Sequence, residues 1–351
     1  MKISQKGEIL WLKKYANPNA IYYPGSNSLM KTQDGGLSFA ATYQNDTGEI
    51  DYMLWKFDLE GDSIWTRRYG GGEFDICLQG RETLDGGFVL IGRSHSFTDN
   101  PEEDADIYLV RTNEDGNLIW ANTYGGDGED FANTVEVMPD GGFIIGASLE
   151  KYIDGEKYDD GYLIRTDNMG NVLWDKRYGE EDRHCILSIK ITQDNGFLIK
   201  TCRLFEEQGE FITNYYLSKT DSLGNILWSY ITPLQNDYFV ITDVKELLDN
   251  SFIFCGYHLF AGEGSGHWGI IGKLSAEGEL LWQKEYYTQE NRQNLLRDIA
   301  PTFDGGFLAS GTAHNPADTI SNEEGRNIWL LKVNCEGELE HSNVCTDIDV
   351  S

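Results

Sequence analysis

Positive charge is scarce in this sequence. Lys and Arg number 28 against 58 Asp and Glu, a formal net charge of −30. The chain therefore has no basic footprint for a phosphate backbone, and nucleic acid and anionic lipid are excluded as default partners. Long apolar runs are missing as well. Stretches such as Gly87–Gly92 fall far short of the roughly 18 residues that span a bilayer, which predicts a soluble chain without membrane insertion. Residues 1–12 lack the charged and apolar regions of a signal peptide. No segment sustains a helical apolar period, so helix should be minor. No nucleophile elbow, P-loop, dinucleotide fingerprint or HExxH motif occurs. Proline is sparse, at 7 residues, whereas glycine reaches 39 among abundant Tyr and Trp; that balance points to many short strands.

What is present is a repeat. Gly7–Trp11 (GEILW) recurs as Gly61–Trp65, Gly116–Trp120, Gly170–Trp174, Gly224–Trp228 and Gly278–Trp282, at spacings of 54, 55, 54, 54 and 54. Six of the nine Trp fall in this one column. A second column is the turn at Asp34, Asp85, Asp140, Asp194, Asp249 and Asp304, reading DGGL, DGGF, DGGF, DNGF, DNSF and DGGF. A third column is basic: Lys56, Arg111, Arg165, Lys219, Lys273 and Lys332. Each unit reads as four strands separated by Asx and Gly turns that supply the positive φ of hairpins. Four antiparallel strands per unit make a propeller blade. The fold expected is therefore all-β, a six-bladed β-propeller over residues 1–337. Gly7–Tyr15 would act as the outer strand that completes the last blade and closes the ring, hiding its edges, and 338–351 would form a C-terminal tail.

These motifs resemble bacterial secreted and cell-surface propellers whose repeats read DGGF, then DxYL[IV][KR], then GNxxW and YGG. Asp140–Gly146, Gly161–Arg165, Gly170–Trp174 and Tyr124–Gly126 carry the pattern here, and the resemblance spans residues 7 to about 335. It implies export, with the signal sequence absent from this chain, to an extracellular, cell-surface or periplasmic location. It is nearly silent on activity. A more distant likeness to quinone-dependent dehydrogenases and assembly scaffolds supplies a third, weaker functional reading. The sialidase Asp box fails, because Asp167–Gly170 and Gly170–Trp174 are each one residue too long; EF-hand-like calcium loops fail on ligand spacing.

A residue repeated in every blade is expected to hold the blade together. The Trp column should cover the sheet with Tyr15, Tyr69, Tyr124, Tyr178 and Tyr286, four residues further on; repeat four breaks this rule at Thr232. The basic column should make cation-π or ion-pair contacts. Function should come from what varies, namely the long connections between strands two and three and between four and one, all on one face. His95, His184, His258, His267 and His314 fall on or beside that face without metal spacing. Trp268 stands outside the Trp column at a loop end, where it could stack on a sugar ring or anchor a partner, and Phe97, Tyr152, Tyr158, Phe205, Phe211 and Phe260 add aromatics. A polar column lies six residues before each turn Asp, at Ser28, Gln79, Thr134, Ser188, Asp243 and Asp298, to be satisfied by water or by neighbouring blades; Asp243 and Asp298 could hold a cation such as Ca2+. Of the six Cys, Cys185 and Cys202 are expected as buried thiols, and Cys335 and Cys345 could tie the tail.

The function expected is a non-catalytic, monomeric recognition module that binds a glycan or a protein partner on the variable-loop face. The alternative is a glycan-active hydrolase or lyase on the same face.

Overall fold

The computed structural model describes residues 2–3, 9–11, 13, 15, 20–98, 100–101, 104–153, 155–179, 183–207, 210–232, 238–260, 266–287, 293–314 and 326–339. The chain divides into two compact units, Met1–Ile189 and Lys190–Ser351. Among the described residues every regular element is a strand.

In the first unit β1 (Lys2–Ile3) pairs with β2 (Ile9–Trp11). Three four-stranded antiparallel meanders follow: β3 (Ala20–Lys31), β4 (Leu37–Asn45), β5 (Ile50–Phe57) and β6 (Ser63–Tyr69); β7 (Asp75–Glu82), β8 (Phe88–Ser94), β9 (Asp106–Thr112) and β10 (Leu118–Tyr124); β11 (Phe131–Val137), β12 (Phe143–Ile153), β13 (Glu156–Thr166) and β14 (Val172–Tyr178). The division between the units runs through β15 (Arg183–Ile191). In the second unit β16 (Phe197–Glu207), β17 (Glu210–Thr220) and β18 (Ile226–Ile231) form one ladder. A larger sheet contains β19 (Tyr238–Glu246), β20 (Phe252–Phe260), β21 (Gly266–Leu274), β22 (Leu280–Tyr286), β23 (Gln293–Pro301), β24 (Phe307–His314) and β25 (Arg326–Val333). Within it, the β19–β22 and β23–β25 meanders join through a single parallel pair, His267 with Gln293.

The turns explain the glycines. The residue after each turn Asp has positive φ, at Gly35, Gly86, Gly141 and Gly305, and also at Asn195 (60°) and Asn250 (61°). Asn is the side chain that best tolerates the left-handed region, so the DNG and DNS copies keep the same turn. Strand two of repeat two, Phe88–Ile91, reads as an unbroken apolar run because both of its faces are covered. Phe88 and Leu90 join a core with Met30, Tyr52 and Leu54 of the preceding repeat, while Val89 and Ile91 join Val135, Phe143 and Ile145 of the following one. Alternate side chains of a strand point to opposite faces, so each core belongs to two successive repeats.

The three repeat columns turn out to be coupled. Each basic residue pairs with the turn Asp of its own repeat: Lys56–Asp34 (2.9 Å), Arg111–Asp85 (2.6 Å), Arg165–Asp140 (2.5 Å), Lys219–Asp194 (2.7 Å), Lys273–Asp249 (3.4 Å) and Lys332–Asp304 (2.8 Å). Four of the column Trp pack against the Phe that follows the next Asp turn, with ring centroids at 5.9 Å for Trp65–Phe88, 6.0 Å for Trp120–Phe143, 5.4 Å for Trp228–Phe252 and 6.4 Å for Trp282–Phe307. Column Tyr residues donate their hydroxyls to the turn glycine carbonyl of the next repeat, Tyr69 to Gly116 and Tyr124 to Gly170 at 2.7 Å and Tyr286 to Gly337 at 2.5 Å. Tyr15 does the same to Gly61. In repeat four, where Thr232 replaces Tyr, the Trp228 indole N–H donates to the Ala276 carbonyl at 2.9 Å and supplies the missing tie.

Two expected loops are not loops. The connections at 149–160 and 203–214 are extensions of the ladders, paired out to Ile153–Glu156 and Glu207–Glu210. Salt bridges from Lys151 to Asp160 and from Lys157 to Glu150 run along the first of them and hold the hairpin together. Cys185 and Cys202 are disulfide-bonded rather than thiols, as is Cys335. Cys77 and Cys255 are free and buried, and Cys345 lies outside the described residues.

Candidate functional site

Two residues of the polar column, Gln79 and Asp243, cap the following repeat, while the buried Thr134 hydroxyl has no hydrogen-bond partner among the described residues. A register shift falls just before Gln79, Thr134, Asp243 and Asp298, and a bulge leaves a backbone N–H outside the ladder. The preceding repeat caps it. Val135 N–H donates to Gln79 Oε1 at 2.7 Å, and Ile299 N–H donates to Asp243 Oδ2 at 3.2 Å. Asp243 and Asp298 are brought together with Lys245, whose Nζ lies 2.8 Å from the first carboxylate and 3.4 Å from the second. Burial, and then a hydrogen bond shared with Asp298, push the Asp243 carboxyl up. An ammonium thus sits where a cation was expected. Among the described residues no cluster of three or more His, Cys, Asp or Glu is arranged to hold a metal.

The expected loop residues do not form one cluster. In the first unit His95 donates Nδ1–H to the Pro101 carbonyl at 3.1 Å and packs edge-on against Phe74. Phe97 packs on Tyr108 at 4.9 Å. Tyr152 and Tyr158 lie on the β12–β13 hairpin opposite Lys157 and Lys151, and half-buried His184 packs beside Gly179. In the second unit Phe205 lies beneath the Arg203 guanidinium at 4.9 Å. The side chains of Phe211, Phe260 and His314 are outside the described part.

Two of the residues, His258 and Trp268, do converge, at the open end of β20–β22, and His267 lies on the opposite face of β21. His258 and Trp268 are direct cross-strand partners, so their side chains share a face. Trp268 stacks on Tyr287 with centroids at 4.7 Å and planes 25° apart, and Tyr287 is 56% exposed. Beside the stack His258 donates Nδ1–H to Glu285 Oε1 at 2.9 Å, which fixes the ring and leaves Nε2 as its second polar atom. On the other face of β21, His267 packs edge-on to Tyr257 at 5.4 Å, and the Arg297 guanidinium of β23 lies 5.6 Å over Tyr257. Burial, and then Arg297, hold the His267 ring below the usual histidine range. Its Nδ1 is buried and has no hydrogen-bond partner among the described residues. An aromatic stack of half-buried Trp268 and exposed Tyr287, with an oriented His–Glu pair beside it, offers an apolar platform and a small number of fixed polar groups, the usual make-up of a small-ligand site.

Sequence reasoning reached His258, His267 and Trp268 but missed Tyr287, Glu285, Tyr257 and Arg297. The doubling Tyr286–Tyr287 is the one signal that could have found the first of these, since the column requires only Tyr286. The others depend on strand register.

No protein-family model matches the chain, and no curated protein matches it. Solved structures are similar at low identity. A protein of unknown function from Dyadobacter fermentans is 11% identical with a TM-score of 0.49, over 89% of this chain and 97% of that one. The GH93 α-L-arabinofuranosidase of Fusarium graminearum is 11% identical with a TM-score of 0.48, over 91% and 98%. The β-propeller domain of the Trilobed protease from Pyrococcus furiosus is 7% identical with a TM-score of 0.37, over 90% and 94%. The functional reading below rests on the side chains of this chain and on none of these likenesses.

Proposed function

We propose that the chain is a six-bladed β-propeller acting as an extracytoplasmic recognition module, and that it binds a glycan at the open end of β20–β22. Six copies of the coupled Asp–basic turn support six blades, and the Tyr15 bond to Gly61 gives the N-terminal segment the role that outer strands have in later repeats. The Trp268–Tyr287 stack carries the functional reading. The C–H face of a sugar ring is apolar and slightly positive, which matches the negative face of an indole, and His258 and Glu285 beside it can meet ring hydroxyls. Disulfide-bonded Cys185, Cys202 and Cys335 fit an oxidising compartment. A net charge of −30 favours a neutral ligand over an anionic one and keeps copies apart as monomers.

The test is capture on a broad glycan and polysaccharide array by the purified chain and by Trp268→Ala and His258→Ala. Capture that falls at least tenfold in Trp268→Ala supports the reading. Equal capture by all three overturns it. Product release from a captured glycan, abolished in Glu285→Gln, would replace the module by a glycan-active enzyme, to which the His258–Glu285 pair lends its geometry.

A further inference from the structure

A cavity of about 310 Å³ opens at the opposite end of the strands, among the short turns of repeats two and three in the first unit. Its walls are Leu84, Asp85, Ile119, Trp120, Asn168 and Met169, with Arg111 behind Asp85. Two other junctions between successive repeats carry a bridge near the equivalent place. After repeat one, Gln33 reaches across the cleft: its backbone N–H donates to Glu82 at 2.9 Å and its Nε2 to the Thr83 carbonyl at 2.9 Å. After repeat four, Gln193 repeats both bonds, to Glu246 and to the Leu247 carbonyl, at 2.8 Å each. After repeat two the equivalent positions are Leu84 and Val137. Leucine has no amide to reach across and valine has no carboxylate to receive it, so the bridge is missing, and Pro139 with Ile191 and Leu248 with Pro301 at the same positions after repeats three and five lack those groups too. Leu84 is left 60% exposed on the wall, together with Ile119 at 53% and Met169 at 56%.

We propose that this cavity is a second binding site and that its ligand is a neutral sugar ring. Trp120 offers an indole face, and Leu84, Ile119 and Met169 offer aliphatic contact on either side of it. The Asp85 carboxylate is neutralised by Arg111, whose Nη2 lies 2.6 and 2.7 Å from its two oxygens. The site therefore holds no uncompensated charge for an ion, while the carboxylate keeps lone pairs and Asn168 an amide for hydroxyl groups. The net charge of −30 disfavours an anion. The volume lies at the small end of ligand pockets, enough for one ring rather than a chain.

The chain contains 5 Met, so ε-methyl labelling gives a spectrum in which Met169 reports on the cavity and buried Met53 serves as a control. Titration with glucose, galactose, mannose, arabinose and N-acetylglucosamine should move the Met169 methyl saturably for at least one sugar, in the millimolar range, and leave Met53 in place. Leu84→Gln with Val137→Glu, which restores the bridge found after repeats one and four, should weaken that response at least tenfold. Asn168→Ala, an exposed turn substitution that avoids the core, should weaken it severalfold. Trp268→Ala should leave it unchanged, so this site and the proposed glycan face stand or fall separately. A Met169 methyl that no sugar moves, one that moves for choline alone, or a response that survives closure of the cavity overturns the proposal.

Discussion

The Asp85–Arg111 pair allows the architecture to be tested at a single point. The guanidinium is nearly buried, at 8% exposure, while the carboxylate is 65% exposed. Burial pulls the Asp85 carboxyl upward, but the Thr83 hydroxyl and Arg111 outweigh it and hold it below the usual carboxylate range. At a charge separation of roughly 4 Å the gross attraction is about 4 kcal/mol at an effective dielectric of about 20, and the exposure of the carboxylate cuts the net value to about 1–2 kcal/mol. The two single substitutions should not cost the same. Asp85→Asn keeps an oxygen for Thr83 and Gly87 but leaves a buried cation without its partner, for about 1.5–2 kcal/mol. Arg111→Met removes the buried charge and leaves a carboxylate that water can solvate, for about 1 kcal/mol. The double variant should cost less than the sum by about 1 kcal/mol. Urea unfolding of the four proteins at low and at 1 M salt measures this, and most of the coupling should survive salt because the cation is buried. Additivity within about 0.3 kcal/mol, or an Arg111 variant weaker than the Asp85 variant, would refute the pairing as the reason the two columns repeat.

Other outcomes follow from the same geometry. Tyr69→Phe deletes the hydroxyl that reaches Gly116 at 2.7 Å and should cost about 1 kcal/mol in urea unfolding, whereas Tyr230→Phe, whose bond to Gln283 is 3.3 Å, should cost less than half as much. Burial raises the Asp130 carboxyl to about 7; a raised acid stabilises the fold below its unfolded value, so its contribution is lost as pH rises from about 4 to about 7. The urea midpoint should fall across that window, and the slope should flatten in Asp130→Asn. The turn carboxylates act in the opposite direction. Asp34 is held at about 2 by the Thr32 hydroxyl and then Lys56, and Asp194 at about 2 by Lys219 and Thr192 against its burial, so their contribution is present above about 4 and lost as pH falls toward about 2; the midpoint should drop steeply there. Unfolded without reductant, the chain should titrate two thiols, those of Cys77 and Cys255, and native protein should titrate none.

Local rules made the repeat legible. Gly86 and Gly116 sit at positive φ because their turns demand it, and short-range chemistry of this kind can be read from four residues. The Asp and basic columns were both visible, yet their union was not, because the two residues lie 22 to 28 positions apart depending on the connection between strands two and three. Only strand register places Arg111 back over the turn at Asp85. The long connections of repeats three and four read as loops because charged and aromatic residues break the apolar pattern there, although each has a Gly near its middle, Gly155 and Gly209; continuous cross-strand pairing makes them hairpins. Cys185 and Cys202 looked like core thiols for the same reason that Cys77 is one: nothing local distinguishes a cysteine in a strand that has a partner from one that has none. Trp268 could be singled out as a Trp that the repeat does not require. Tyr287, its stacking partner, was hidden behind the Tyr that the repeat does require.

Repetition supplies an internal control that a single-copy fold lacks. Six copies meet the same packing problem, so a side chain found in most of them is accounted for by packing, and a departure has to be accounted for otherwise. Some departures carry their own compensation: Thr232 for Tyr is matched by the Trp228 bond to Ala276, and Asn195 for Gly satisfies the same φ. Others do not. Leu84 and Val137 lack the bridge that Gln33 with Glu82 and Gln193 with Glu246 make, while the exposed apolar residue before the column Trp, Ile119 here, is common to the repeats, as at Ile64, Leu173, Leu227 and Leu281. Trp268 and Tyr287 add an aromatic stack at a strand position where the other repeats carry Asp or Asn in place of the Trp. At the Trp268–Tyr287 stack apolar surface is added that the repeat does not require, and a bound ligand is the physical term that would account for it.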